Sequence, residues 1–323
     1  MEKTDFGNAF ELIKAAKTIA IVGHVRPDGD CLGSSLALKM IAESMGKTAD
    51  VYMDGEIPKQ MFYIKGYNAI KTDVKDMGAE YDLLVTMDTS SEDRLGIFTN
   101  LRQFSKKVLC IDHHIDTRVK ADTLVTNPNS ASCGEMLYDF VISNKIAIDK
   151  DIATALYTAV STDTGCFLYA ATTAFTHRTA AQLLDYDIDI ELIHYNNFRV
   201  YDRRFIAGFR QILRRLRFRK GGQIAFTCLD MRNSKKYNFD FEERHRFKQY
   251  ASDARGVVTS IFMTQEERNL YHVSLRSHGN INVATVARFF GGGGHKNAAG
   301  FTIRGKYKKV IKQIVRELEK VLQ

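Results

Sequence analysis

Apolar positions along this chain follow two spacings, and the switches between them mark out the elements. Spacings of three and four predict a short helix over 6–16 and a longer one over 31–45. Apolar, β-branched runs predict strands at 18–23, 48–53, 81–87, 107–111 and 124–126. A short helix is expected at 58–64, and longer ones at 132–144, 149–161 and 174–185. Strands alternating with helices imply an α/β fold with a doubly wound, mainly parallel sheet. Residues 189–218 read as charged helix without the Gly and Pro clusters of a loop. A second run follows, with strands at 224–229, 257–263, 271–275 and 301–303, and helices at 242–254, 281–290 and 307–322. The expected organisation is an N-terminal domain at 1–188, a helical connector at 189–218 and a smaller mixed α/β domain at 219–323.

Composition adds limits. With 323 residues, 45% hydrophobic and 26% charged, the chain can bury two ordinary cores. Only Pro27, Pro58 and Pro128 interrupt it, and no biased tract suggests a disordered linker. The first ten residues lack the apolar core of a signal peptide, and no apolar run approaches the ~18 residues of a membrane helix. The five cysteines are scattered without a CxxC pair, which fits reduced thiols in a cytoplasmic protein with no membrane attachment. The net charge of +8 favours anionic partners such as nucleotides. Lys and Arg are densest at 199–220, which reads equally as a solvated helix face or as a phosphate-facing surface.

The chemistry gathers around GHVRPDGDCLGSS at 23–35, a strand-to-helix turn carrying His24, Asp28 and Asp30. Asp88 and the Asp112-His113-His114 triplet also follow apolar strands, and Asp163 ends a helix. The C-terminal ends of parallel strands share one edge of a sheet, so these groups can converge although far apart in sequence. Each acid taken alone reads as well as a helix cap or turn residue; their recurrence at strand ends is the signal. Mixed carboxylate and imidazole donors suit Mn²⁺, and also Mg²⁺, Co²⁺ or Zn²⁺, while the lack of Cys among them argues against a structural zinc site. So many acids at one edge would repel each other without cations. Two ions could clamp a phosphoryl oxygen and lower the pKa of a bridging water, which implies phosphate ester or anhydride hydrolysis.

These motifs resemble the DHH phosphoesterase family: GHVRPDGDCLGS at 23–34, MDTS at 87–90, DHH at 112–114 and STDTGCF at 161–167, in the family's order and approximate spacing. The resemblance implies two divalent ions, most often Mn²⁺. His24, Asp28 and Asp88 would hold one, and Asp30, Asp88, His113 and Asp163 the other, with Asp88 bridging. It also implies that His114 contacts the scissile phosphate and that Asp112 orients a neighbouring histidine. Ser274-Leu275-Arg276-Ser277 and GGGGHKNAAG at 291–300 resemble the DHH-associated domain that holds nucleotide substrate. Arg276, Ser277, Gly292, Gly293, Gly294, His295 and Lys296 are the expected contacts, with His114. Glycines let backbone amides approach an anion, and no GK[ST] of a P-loop is present.

Within the family, the chain is most similar to the stand-alone bifunctional oligoribonucleases (nanoRNases) that also dephosphorylate pAp. The expectation is therefore a manganese-dependent phosphodiesterase releasing nucleoside monophosphates from very short RNA or linear dinucleotides such as pApA, with the cleft between domains admitting substrate and the connector as hinge. A homodimer is implied by the resemblance alone. Two alternatives stand: a soluble cyclic di-AMP phosphodiesterase, and a non-catalytic nucleotide- or RNA-binding module.

Overall fold

Helix α1 (Ala9–Ala15) leads into β1 (Thr18–Gly23), α2 (Gly29–Ser44), β2 (Thr48–Tyr52), β3 (Leu83–Met87), β4 (Val108–Asp112) and β5 (Thr123–Thr126) in the computed structural model, which describes residues 4–78, 80–239 and 241–322. The five strands form one parallel sheet in the order β2-β1-β3-β4-β5. The chain steps from β1 to β2 on one side and returns to β3 on the other. The switch point of the doubly wound sheet therefore lies between β1 and β3, where such folds open a crevice at the strand C-termini.

Strand alternation divides the core between the two faces. Ile19, Ile21, Val85, Leu109 and Ile111 pack beneath α2, α3 (Cys133–Ser143) and α4 (Lys150–Asp163). Ala20, Val22, Leu84 and Cys110 face Leu95, Phe98 and Leu101. That second face is covered by 3₁₀ segments at Glu92–Phe98 and Leu101–Gln103 rather than by long helices. Helix α5 (Ala174–Leu184) follows, opened by a capping box in which Thr173 and Thr176 satisfy each other's free amides. The helix expected at 58–64 is a single 3₁₀ turn, Lys59–Met61.

The 189–218 stretch is not one helix. It comprises α6 (Ile190–His194), a π turn at Tyr195–Arg199, and α7 (Arg203–Arg214). Val200 is extended, and the carboxylate of Asp202 accepts the amide of Arg204 to start α7 afresh. The compact units of the chain divide there, as Met1–Val200 and Tyr201–Gln323.

The second unit continues with β6 (Arg217–Arg219), β7 (Ile224–Leu229), α8 (Met231–Tyr237), α9 (Phe241–Ser252), β8 (Thr259–Glu267), β9 (Leu270–Ser277), α10 (Val283–Phe289), β10 (Gly293–His295), β11 (Ala298–Arg304) and α11 (Tyr307–Val321). Its mixed sheet runs β10-β11-β9-β8-β7-β6, with only β7 and β8 parallel. Helices α10 and α11 pack on one face against Ile261, Val273 and Leu275. Helices α7 and α9 pack on the other, where Phe205, Phe239, Phe247 and Phe262 interlock. No described helix is long and apolar enough to cross a membrane.

Candidate metal centre

The N-terminal unit brings six of the sequence-predicted donors together at the switch point. His24 follows β1, Asp88 follows β3, and His113 follows β4. Nε2 of His24 lies 3.5 Å from Oδ2 of Asp88 and 3.8 Å from Oδ2 of Asp28. Nε2 of His113 lies 3.5 Å from Oδ1 of Asp88, 3.5 Å from Oδ2 of Asp163 and 3.8 Å from Oδ2 of Asp30. Asp88 thus turns one oxygen to each histidine. It does so from φ +54, a left-handed conformation that Asp adopts more readily than most residues.

Helix α2 positions two of the acids. Asp28 is its N-cap, with Oδ1 accepting the amides of Asp30 and Cys31, which leaves Oδ2 for the cluster. Asp30, one of the acids that also read as a cap, sits instead in the first turn and is buried. Its two oxygens accept the amides of Cys133 at 2.7 Å and Gly134 at 2.9 Å, at the N-terminus of α3. The close approach of α2 to α4 brings Asp163 alongside. A side chain at Gly33 would meet the carbonyl of Ala155 at 2.6 Å, and one at Gly29 would collide with Thr162. Glycine at these two positions is what lets the helices touch.

The donor set fits divalent cations. Ligand atoms about 2.1 Å from a shared ion sit roughly 3.0–3.5 Å from one another, close to the spacings observed. Both inward histidines are held from behind by backbone: Nδ1 of His24 is 2.9 Å from the carbonyl of Val25, and Nδ1 of His113 is 3.3 Å from that of Ser130. A carbonyl on one ring nitrogen fixes the tautomer and leaves the other nitrogen as a metal donor. The electrostatics agree. Burial, with Asp88, Asp163 and Asp28 nearby, raises Asp30 well above the usual carboxylate range. Burial likewise raises Asp163 to about 7, with Asp88 and Asp28 adding to the shift against His113. Crowded acids held partly protonated are groups that a cation would ionise.

His114 differs from its neighbour. Its Nδ1 is 2.7 Å from Oδ1 of Asp112, a fully buried carboxylate whose other oxygen accepts the hydroxyl of Thr117. That hydrogen bond raises the His114 pKa, while Nε2 engages no described protein group.

Two cysteines border the cluster, which the sequence did not signal. The Sγ of Cys31 accepts the amide of His24, and the Sγ of Cys133 lies 3.8 Å from Oδ1 of Asp88. Burial pushes the Cys31 thiol up to about 11 and the Cys133 thiol well above its usual range. Burial thus disfavours the thiolate form at both positions. Thr117 and Ser130, which support the two neighbouring histidines from the loops that follow, also carried no sequence signal.

The remaining predicted residues lie in the second unit. Arg276 and Ser277 end β9, and Arg276 pairs in register with Ala298 of β11. The glycine run is not a free loop: Gly293–His295 forms β10, hairpinned onto β11 through Lys296 and Asn297. A side chain at Gly292 would collide with the Gly300 carbonyl, and one at Gly294 would meet that of Ala298 at 2.5 Å, whereas Gly293 faces open space. Ser277 spends its hydroxyl locally, donating to the carbonyl of Ile281 and accepting from Asn297. Nζ of Lys296 donates to Asn280. Arg276 is half-buried with no carboxylate partner among the described residues, and His295 is exposed.

Residues 18–160 match the model of the DHH family, N-terminal domain, and residues 242–323 match that of the DHHA1 domain. The chain is 30% identical to the bifunctional oligoribonuclease and PAP phosphatase NrnA of Thermus thermophilus, covering 95% of this chain and 93% of that protein. It is also 30% identical to a probable NrnA of Streptococcus mutans, over 92% of this chain and 93% of the relative. In fold it is similar to an exopolyphosphatase-related protein from Bacteroides fragilis, with a TM-score of 0.85 at 24% identity over 97% of this chain and 95% of that one. With acids and imidazoles converging at the switch point of its parallel sheet, and with both domains matched in order, this chain belongs to the DHH family of metal-dependent phosphoesterases.

Proposed function

We propose that this enzyme is a manganese-dependent phosphodiesterase that releases nucleoside monophosphates from very short oligoribonucleotides and linear dinucleotides such as pApA, and that it also converts pAp to AMP. The observation that carries this reading is the pair of carbonyl-backed histidines sharing the Asp88 carboxylate. The oligoribonuclease and PAP phosphatase activities for which the NrnA relatives are named support the substrate class.

Two divalent cations, one held by His24, Asp28 and Asp88 and the other by Asp30, Asp88, His113 and Asp163, would supply Lewis acidity and a nucleophile at neutral pH. The protein's own groups do the rest. Asp112 fixes Nδ1 of His114 and favours its charged form, so that Nε2 donates to an oxygen of the scissile phosphate. Asp112 and His114 thereby stabilise negative charge as it grows on that phosphate. In the second unit, Arg276 is a half-buried planar fork of the kind that suits a phosphate, and the exposed His295 on the β10 hairpin is a further donor. Burial of Asp30 and Asp88 limits how far bulk water screens their own charges.

The test is product analysis with pAp, pApA, longer RNA and cyclic di-AMP, each with Mn²⁺ and with Mg²⁺. The proposal expects AMP from pApA and pAp with Mn²⁺, slower turnover of longer RNA and cyclic di-AMP, and loss of every activity in Asp88→Ala. If pApA and pAp both stay intact, the reading fails; preferred cleavage of cyclic di-AMP reassigns the substrate.

A further inference from the structure

The basic segment around 199–220 is not consumed by the metal centre, and the fold gives part of it a distinct setting. Strand β6 pairs antiparallel with β7, placing Arg217 opposite Phe226 and Arg219 opposite Ile224. Directly opposed residues share a face of the sheet. Arg217 and Arg219 therefore stand on the face that carries Phe226 and Cys228, where α11 also packs. From α11, Lys308, Lys312 and Arg316 recur every fourth residue, on one stripe of the helix. Strand period and helix period together build two facing rows of cations. Between them lies a cavity of about 1050 Å³, floored by Phe226, Cys228, Tyr271 and Tyr307.

The rows are long enough to matter. Residues 308 to 316 span roughly 12 Å of helix and 217 to 219 roughly 7 Å of strand, with Arg215 at the end of α7 just before it. Six cationic side chains line the cavity against only Asp230 and Glu319, and Asp230 is already paired with Arg215. Arg217, Lys308, Lys312 and Arg316 have no carboxylate within ion-pairing distance among the described residues. Arg219 lies over the Phe226 ring at 5.4 Å, which holds its guanidinium against the cavity wall. A solvated surface would spread such charges apart; here they converge on a concavity with an apolar, aromatic floor. That combination suits a ligand with several phosphates for the rows.

We infer that the trough between β6 and α11 is a binding site for a linear, multiply phosphorylated ligand, separate from the substrate hairpin. Strands β6 and β10 are the two opposite edges of the same sheet, so four strands separate the trough from the GGGGH segment. The site stands whether or not the reaction proposed above is correct.

The experiment is calorimetric titration of the full-length protein in EDTA, so that the metal centre takes up no phosphate. Inorganic tripolyphosphate, ATP and a 5′-phosphorylated RNA trimer are the probes. At least one should bind with Kd of about 1–100 µM, and the tightest identifies the source as a free polyphosphate, a nucleotide or a strand end. Lys312→Ala and Arg217→Ala should each weaken that binding roughly tenfold and lower the salt slope by about one. Lys312→Arg should restore it. Lys309→Ala, which removes an equal charge from the same helix outside the trough, should change Kd by less than about twofold. No saturable binding by any probe, or equal weakening by Lys309→Ala and Lys312→Ala, overturns the site.

Discussion

Asp30 accepts the backbone amide of Cys133 at 2.7 Å across 103 residues of sequence, and its other oxygen takes that of Gly134. A predicted metal ligand is thus also the residue that satisfies free amides at the start of α3. Asp30→Asn replaces one acceptor oxygen with a donor and sets it against a buried N–H. In EDTA, urea denaturation should show a loss of about 1–3 kcal/mol. Asp163→Asn, which breaks no backbone hydrogen bond and relieves repulsion, should leave stability unchanged or raise it. Equal losses in both variants would remove the structural role given to Asp30.

Metal binding should release protons near neutral pH. Burial and the neighbouring acids hold the Asp163 carboxyl at about 7 without metal, so it is mostly protonated below that pH. A cation needs the carboxylate, so Mn²⁺ affinity should rise with pH through about 7, and Mn²⁺ added in weak buffer at or below that pH should acidify the solution. Uptake without acidification would contradict the raised carboxyl.

The Asp112–His114 pair predicts a titration. The carboxylate stabilises the imidazolium, so the His114 pKa is raised above its ordinary 6.5. Asp112→Asn removes that charge, and the His114 ring resonances should titrate at lower pH than in the unaltered protein. Thr117→Val removes only the hydroxyl on the other oxygen and should leave His114 closer to its original value. An unchanged His114 pKa in Asp112→Asn would dissolve the pair.

Glycines in the motifs should sort by the space around them. Gly33→Ala drives a methyl into the Ala155 carbonyl and should cost about 1–3 kcal/mol while separating α2 from α4. Gly293→Ala meets nothing within 4 Å and should fold with an unchanged melting temperature. If the two melt alike, the close α2–α4 contact is not what Gly33 provides.

Much of the architecture is carried by local pattern. The β-branched run of 18–23, the apolar run of 83–87 and the helical spacing of 133–143 encode their elements because period and propensity agree. The donors at strand ends were legible for the same reason: parallel strands set their C-termini on one edge, so position along a strand predicts position in space. Where an element was too short to repeat its period, the signal failed. Three residues of β6 and three of β10 cannot display an alternation, and α8 is only two turns long. The break at 200–202 rests on one extended residue and a cap inside a charged stretch.

What only the tertiary structure decided are relationships between distant residues. Sequence placed Asp30 at a helix start but not beneath the amides of α3, because that contact depends on how α2 and α3 pack. It showed Cys31 and Cys133 as ordinary apolar-context thiols, yet folding sets both against the carboxylates. It read the glycines as letting backbone amides approach an anion, and did not show that Gly292 and Gly294 are also required by β11 behind them. And it left the basic segment without a role, since a strand's cations and a helix's cations become one feature only when the sheet edge and α11 come together. Local physics chose the elements and the donors; long-range packing chose which of them meet.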